Sequence, residues 1–223
     1  MGIILGYVCV LLFGLLAIKA LSKRLHFTSV DRIFMRIHKP VCILLVLAGV
    51  LHLFMVIPVL CNRNIFVIIS GIVIFLVMLV QIFLFHKGRC KSKRLFWHRA
   101  LTVFLIIGIV SHMISYMIDF NNYQQKIDAI AFSNIDVTTI ADGTYEGAYD
   151  AGYIYAKVAV EIKAGKITSI SLLEHKNERG KAAERITDDM LTQNQITVDA
   201  VTGATNSSNV IKKAVENAVT SAR

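Results

Sequence analysis

Long apolar runs occupy the first half of the chain. They cover about 2–21, 37–60, 65–86 and 95–118. Each is close to the roughly 20 residues that an α-helix needs to cross a bilayer. The pattern predicts four transmembrane helices over residues 1–120. The first run lacks a basic amino-terminal region, so we expect a retained helix rather than a signal peptide.

The second half of the chain has the alternation of a half-buried sheet. Residues 121–141 are polar and predict a linker that holds at most a helical turn. Strands are then predicted at Gly143–Tyr149, Tyr153–Ile162 and Ile167–Leu173. Ala164-Gly165 forms the hairpin turn between the last two of them.

The end of the chain predicts helices around one more strand. Helices are expected at Glu178–Gln193 and from Asn206 or Ser207 to about Ser221, and a short strand at Thr197–Val201. The overall prediction is a membrane helical bundle at 1–120, followed by a small α+β domain at 142–223.

Charge gives this arrangement a direction. The 223-residue chain has a formal net charge of +9, but residues 1–120 hold 13 basic and two acidic residues, whereas residues 121–223 hold 11 and 13. Six basic residues flank or lie within each of the first and third connections, and Arg63 alone lies in the second. By the positive-inside rule, the amino terminus and the α+β domain are predicted outside the cytoplasm. The high net charge is therefore a topology signal, and no nucleic-acid partner is predicted.

One segment of the α+β domain suggests phosphate chemistry. It reads Asp199-Ala200-Val201-Thr202-Gly203-Ala204-Thr205-Asn206-Ser207-Ser208. Gly203 permits a tight turn, and Thr205 presents a hydroxyl where a helix begins. A phosphate there would meet backbone N–H groups and the positive end of the helix dipole.

This segment resembles the D-x-x-[ST]-G-A-T-x-x-[ST] signature of the FMN-binding domain in the C subunit of sodium-pumping NADH:quinone reductase and the G subunit of Rnf complexes. The resemblance covers about residues 142–220, in a shorter form with Glu174–Gly180 in place of an E-T-P-G-L-G-like loop. It implies an FMN phosphoester on Thr205, installed outside the cytoplasm by a flavin transferase. It also places Asp199, Thr202, Gly203, Ala204, Asn206 and Ser207 around the attachment site.

Four histidines repeat in the membrane half. His38 and His52 are 14 residues apart, and so are His98 and His112. Fourteen helical residues rise about 21 Å and complete almost four turns, so each pair shares one helix face. Intramembrane histidines usually mark function. Because both helices run outward, His38 is expected to face His98 near the cytoplasm, and His52 to face His112 near the outside.

Two axial imidazoles at each level suit two b-type haems. The pattern resembles the di-haem cores of ferric-reductase-like and cytochrome b561-like membrane proteins, over the second and fourth helices only. Zinc or copper stays an alternative, and so does hydrogen bonding to neighbouring helices. His26 and His86 are expected to be solvated at cytoplasmic helix ends, and His175 to lie at the surface.

Together these features predict a flavocytochrome in a prokaryotic cytoplasmic membrane, an oxidoreductase surrounded by lipid. Electrons would come from a quinol or a cytoplasmic reductase, cross two haems, and reach covalent FMN and an unidentified extracytoplasmic acceptor. The alternative is an accessory FMN-carrying subunit of a larger Rnf- or Nqr-like complex with a haem-free membrane anchor.

Overall fold

The computed structural model describes residues 2–24, 28–87, 91–133 and 135–221, with side chains except at 19–30 and 84–92. It divides into two compact units, Met1–Tyr116 and Met117–Arg223. His26 lies outside the described residues, and the side chain of His86 lies outside the described side chains. The expectation that these two are solvated therefore stays a prediction.

Four helices carry the apolar runs of the first half. They are α1 (Gly2–Arg24), α2 (Thr28–Val56), α3 (Ile65–Lys87) and α4 (Lys91–Asp128). A 3₁₀ turn, Ile57–Asn62, follows α2, and α1 packs along α2.

Among the described residues, three stretches are long and apolar enough to cross a membrane: Asp31–Asn62, Ile65–Phe83 and Lys93–Asp128. The described side chains of α1 give a shorter apolar segment, Gly2–Ile18, so a fourth span stays a prediction.

The outward faces of these helices are apolar. Leu47, Phe66 and Ile107 are 60%, 71% and 65% exposed, and many similar side chains surround them. An apolar surface of this extent would be untenable in water, because soluble proteins rarely expose contiguous apolar patches of more than a few hundred Å². The unit is therefore compatible with a membrane environment.

The second unit begins within α4, which continues to Asp128 where the sequence indicated a polar linker. Tyr123 and Ile127 from these last turns are buried in the unit's core. Val137 and Ile140, at the 3₁₀ turn Val137–Thr139, join them there. The polar stretch 121–141 is thus part of the folded unit, because a few of its apolar side chains are buried in the core.

A three-stranded antiparallel sheet forms one layer of this unit. Its strands β1 (Gly143–Asp150), β2 (Tyr155–Lys163) and β3 (Lys166–Lys176) lie in the order β1-β2-β3. The hairpin turn has positive φ at Ala164 (50°) and Gly165 (70°), as a two-residue type I′ connection requires. The predicted strands and turn are therefore present.

The second layer is helical. A 3₁₀ turn, Lys181–Arg185, leads into α5 (Ile186–Gln193), and α6 (Thr205–Thr220) covers the sheet. Alternate residues of β2 meet one face of α6 in the core. The members are all fully buried: Ala156, Val158, Val160, Ile162, Val210, Ile211, Ala214, Val215 and Ala218.

The prediction of a strand at Thr197–Val201 is wrong, because this segment has no regular secondary structure. Its apolar residues Ile196, Val198 and Val201 are nevertheless buried. Side chains of α6 replace a neighbouring strand as hydrogen-bond partners: Lys212 Nζ donates to Val198 O at 3.0 Å, and Val201 N donates to Ser208 Oγ at 3.1 Å.

Gly147 lets β1 lie directly against the backbone of α6. A Cβ atom at this position would overlap Ala218 N and Ala214 O. Backbone atoms within a helix cannot move aside as a side-chain tip can, so the sheet would have to separate from α6.

We therefore expect Gly147→Ala to destabilise the second unit by about 3 kcal/mol, the upper end of typical overpacking costs. Hydrogen–deuterium exchange of β1 and α6 peptides in the full-length protein measures this. Glu146→Ala, on the exposed face of the same strand, is the control and should change stability by less than about 0.5 kcal/mol. Equal exchange in the two variants would contradict the close packing.

Candidate functional site

A tight turn precedes α6. Ala204 N donates to Val201 O at 2.9 Å, and Gly203 has φ +79°. A glycine with positive φ in the third position is typical of a type II turn. The turn exposes Thr202 and Gly203 and leaves Ala204 buried.

Ser208 fixes this turn from within α6. Its hydroxyl is fully buried and accepts the N–H of Val201. The sequence named Ser208 as the last residue of the signature but gave it no role, because a contact back across seven residues depends on the turn that it stabilises.

Thr205 is the first residue of α6, and it is exposed. Ala204 occupies the N-cap and makes no side-chain cap hydrogen bond. A helix start leaves its first N–H groups without helical partners, and they attract anions. A phosphate esterified to Thr205 would lie beside these donors and beside the positive end of the helix dipole.

The neighbouring positions differ in their surroundings. Asn206 Nδ2 donates to the Tyr123 hydroxyl at 2.8 Å, which connects the start of α6 to the end of α4. Ser207 is buried against Gly180, where a Cβ atom would overlap the Ser207 hydroxyl. The loop that ends at Gly180 therefore lies beside the first turn of α6.

Asp199 is exposed two residues before the turn. Its carboxylate acts on Lys212, whose Nζ also lies 4.8 Å from the centre of the Phe132 ring. Burial lowers the pKa of the Lys212 ammonium below its ordinary value, and the Asp199 carboxylate opposes that shift. The Asp199 carboxylate thus favours the charged form of Lys212, whose ammonium donates a hydrogen bond to Val198 O in the segment before the turn.

His175 does not lie at the surface as the sequence suggested. Its side chain is 3% exposed, and its Nδ1 lies 3.0 Å from Glu184 Oε1. His175 pairs with Ala156 across the sheet, and so it faces the core side. The prediction was wrong because His175 is near the end of β3, and its inward orientation follows only from its pairing with Ala156.

In the membrane unit, His38 and His98 lie next to one another. Their ring centres are 6.2 Å apart at an interplanar angle of 74°. Two helices distant in sequence therefore bring these imidazoles to one level. His98 Nδ1 also lies 2.7 Å from Gln81 Nε2.

His52 and His112 each rest on a neighbouring helix. His52 Nδ1 lies 2.8 Å from Gly2 O on α1, and His112 Nδ1 lies 2.8 Å from Ser70 Oγ on α3. The two imidazoles are close enough to interact electrostatically.

Glycines make room for both outer rings. A Cβ atom on Gly6 would lie 3.2 Å from His52 Cε1, and one on Gly71 would lie 3.2 Å from His112 Cε1. No role was predicted for either glycine or for Ser70, because their contacts with the histidines depend on which helices are neighbours.

Among the described residues, no group of three or more His, Cys, Asp or Glu side chains is arranged to hold a metal ion. A structural zinc site takes four protein ligands. His38 and His98 bring two imidazole rings together, which is fewer than the ligands of such a site.

Comparison with known proteins identifies one family. Residues 151–220 match the family described as FMN-binding domain, which includes the turn and α6. No curated protein and no solved structure matches the chain. The match supports FMN as a ligand of the second unit and a flavin-carrying redox role.

If Thr205 is the attachment residue, Thr205→Ala should abolish the flavin fluorescence of the denatured protein on a gel, when a flavin transferase is co-expressed. Thr205→Ser, which keeps a hydroxyl, should retain part of it. Thr197→Ala, at another exposed threonine, is the matched control and should label fully. Undiminished fluorescence in Thr205→Ala would place the attachment elsewhere.

Proposed function

We propose that this protein is a membrane flavocytochrome, which moves electrons across a prokaryotic cytoplasmic membrane through two b haems to FMN bound covalently outside the cytoplasm. The observation that carries the proposal is the pairing of His38 with His98 in a chain whose other unit matches an FMN-binding domain.

The flavin half rests on Thr205. Its exposure leaves the hydroxyl accessible to a transferase, and the uncapped start of α6 offers donors to the phosphate. The turn positions Thr205 through Gly203 and Ser208. FMN bound there would supply a centre that exchanges one electron with a haem and two with a substrate.

The inner histidine pair brings two imidazoles together. The ring centres of His38 and His98 are 6.2 Å apart, on helices that are distant in sequence. Paired imidazoles are a ligand set for a b-type haem. His38 and His98 would thus hold the inner haem.

In the outer pair, His52 and His112, each Nδ1 atom has a hydrogen-bond partner on a neighbouring helix. Gly2 O is a carbonyl and only accepts, so His52 Nδ1 carries the proton and donates it. In a neutral imidazole, Nε2 then keeps its lone pair for a metal. Ligating histidines usually donate their second ring nitrogen in this way. His52 and His112 would thus hold the outer haem.

Charge supplies the orientation and the partners. The basic connections favour the cytoplasm, so the inner pair would face a quinol or a cytoplasmic reductase as donor. The FMN unit would then face an extracytoplasmic acceptor. Lipid surrounds the apolar helices, and a flavin transferase matures the second unit.

A reduced-minus-oxidised spectrum of the purified protein, expressed with ample haem, is the direct test. We expect a sharp b-type α band and about two haems per FMN. His112→Ala should lose one haem and keep covalent FMN, whereas Thr205→Ala should lose FMN and keep both haems. This reciprocal pair controls for misfolding, since each variant retains the other cofactor.

Flavin without an α band would refute the haem half. It would favour the alternative, an accessory FMN-carrying subunit of a larger Rnf- or Nqr-like complex. Haem loss in none of the histidine variants would refute the assignment of the ligands.

A further inference from the structure

Two polar side chains interrupt the apolar stretch Ile65–Phe83 of α3, and both meet histidines of α4. Ser70 Oγ lies 2.8 Å from His112 Nδ1, and Gln81 Nε2 lies 2.7 Å from His98 Nδ1. Eleven residues complete about three helical turns, so Ser70 and Gln81 share one face of α3. A polar group in hydrocarbon needs an internal partner, and each of these two has an imidazole.

The direction of the Ser70 hydrogen bond follows from its partners. Ser70 Oγ donates its one hydrogen to Val67 O at 3.1 Å. With its hydrogen directed at Val67 O, Ser70 accepts from His112, and the proton of the neutral imidazole then lies on Nδ1. This tautomer leaves the lone pair of His112 on Nε2. Gly71, next along α3, lets the ring approach the helix.

Gln81 forms a different network at the inner level. Its Nε2 donates to Thr102 Oγ1 at 2.9 Å, and Thr102 Oγ1 donates to His98 O at 2.8 Å. With the amide in this orientation, its N–H groups point at both Thr102 and His98. His98 Nδ1 then accepts, and the proton of a neutral ring lies on Nε2.

A half-turn of the Gln81 amide reverses this assignment. Oε1 would then face His98 Nδ1 and accept its N–H, and the Thr102 hydroxyl would turn to donate to Oε1. The two amide ends have nearly the same shape, so the rotation changes the hydrogen bonds without changing the packing. Only the rotated state leaves the lone pair of His98 Nε2 available to a metal.

From this geometry we infer that Ser70 and Gln81 are positioning residues of the two haem sites, which set the tautomer and ring orientation of His112 and His98. Ser70 does so by accepting from His112 Nδ1, and Gln81 by presenting its amide oxygen to His98 Nδ1. The inference rests on the proposed function, because it requires haem at both histidine pairs.

The test isolates each haem site in turn. In a His38→Ala background, which leaves the outer haem, Ser70→Ala should speed haem transfer to excess apomyoglobin about 10- to 100-fold, the usual effect of losing such a partner. Ser70→Thr, which keeps the hydroxyl, should restore slow transfer. In a His52→Ala background, which leaves the inner haem, Gln81→Leu should have the same effect, and Gln81→Glu, which keeps an acceptor oxygen, should not.

Cross-combinations and a surface position provide the controls. Ser70→Ala should not alter the inner haem, Gln81→Leu should not alter the outer haem, and Ile69→Ala, at an exposed position on α3, should alter neither. Covalent FMN content reports folding in every variant. Unchanged haem transfer in Ser70→Ala and Gln81→Leu would overturn the inference alone. A parent protein without haem would overturn the proposed function and the inference with it.

Discussion

The arrangement of the membrane unit depends on satisfying imidazole nitrogens in the absence of water. Hydrocarbon offers no hydrogen-bond partner, and each unsatisfied polar group costs several kcal/mol. The hydrogen-bond partner of His52 is Gly2 O, that of His112 is Ser70, and that of His98 is Gln81. Since these partners lie on α1 and α3, the histidines of α2 and α4 specify which helices lie beside them and in which register. Apolar side chains alone would allow many alternative packings.

In the second unit, the same constraint shapes the turn before α6. Val198 and Val201 are buried in a segment that no strand accompanies, and their backbone groups are satisfied by Lys212 and Ser208 of α6. The turn is therefore fixed by the helix that it introduces. The start of α6 lacks a side-chain cap, and it is left with donors that an esterified phosphate would satisfy.

Local periodicity predicted most of the sheet domain but not its long-range pairings. The alternation in β2 and the helical spacing in α6 are short-range signals, and both elements are present. Thr197–Val201 has the composition of a strand, yet its backbone groups form hydrogen bonds with side chains of α6 instead of with a neighbouring strand. The extension of α4 was missed because Tyr123 and Ile127 are isolated in a polar stretch, where burial depends on a core formed elsewhere in the chain.

In the candidate sites, the sequence singles out the histidines and Thr205, whereas the residues that contact them can be identified only from the structure. A histidine in an apolar run is conspicuous, but Ser70 or Gly71 is ordinary in a membrane helix, where small residues are common at helix contacts. The structure shows that Gly6 and Gly71 serve the same purpose, since each admits an outer imidazole against the neighbouring helix.

Their hydrogen-bond acceptors differ, because Gly2 offers a backbone carbonyl and Ser70 a hydroxyl. A carbonyl oxygen has two lone pairs and can take a second donor without leaving its helix. A hydroxyl also carries a hydrogen of its own, and Ser70 accepts from His112 when that hydrogen is directed at Val67 O. Two chemically different acceptors thus place the proton on the same ring nitrogen of both outer histidines, which leaves both rings with the lone pair that a metal would need.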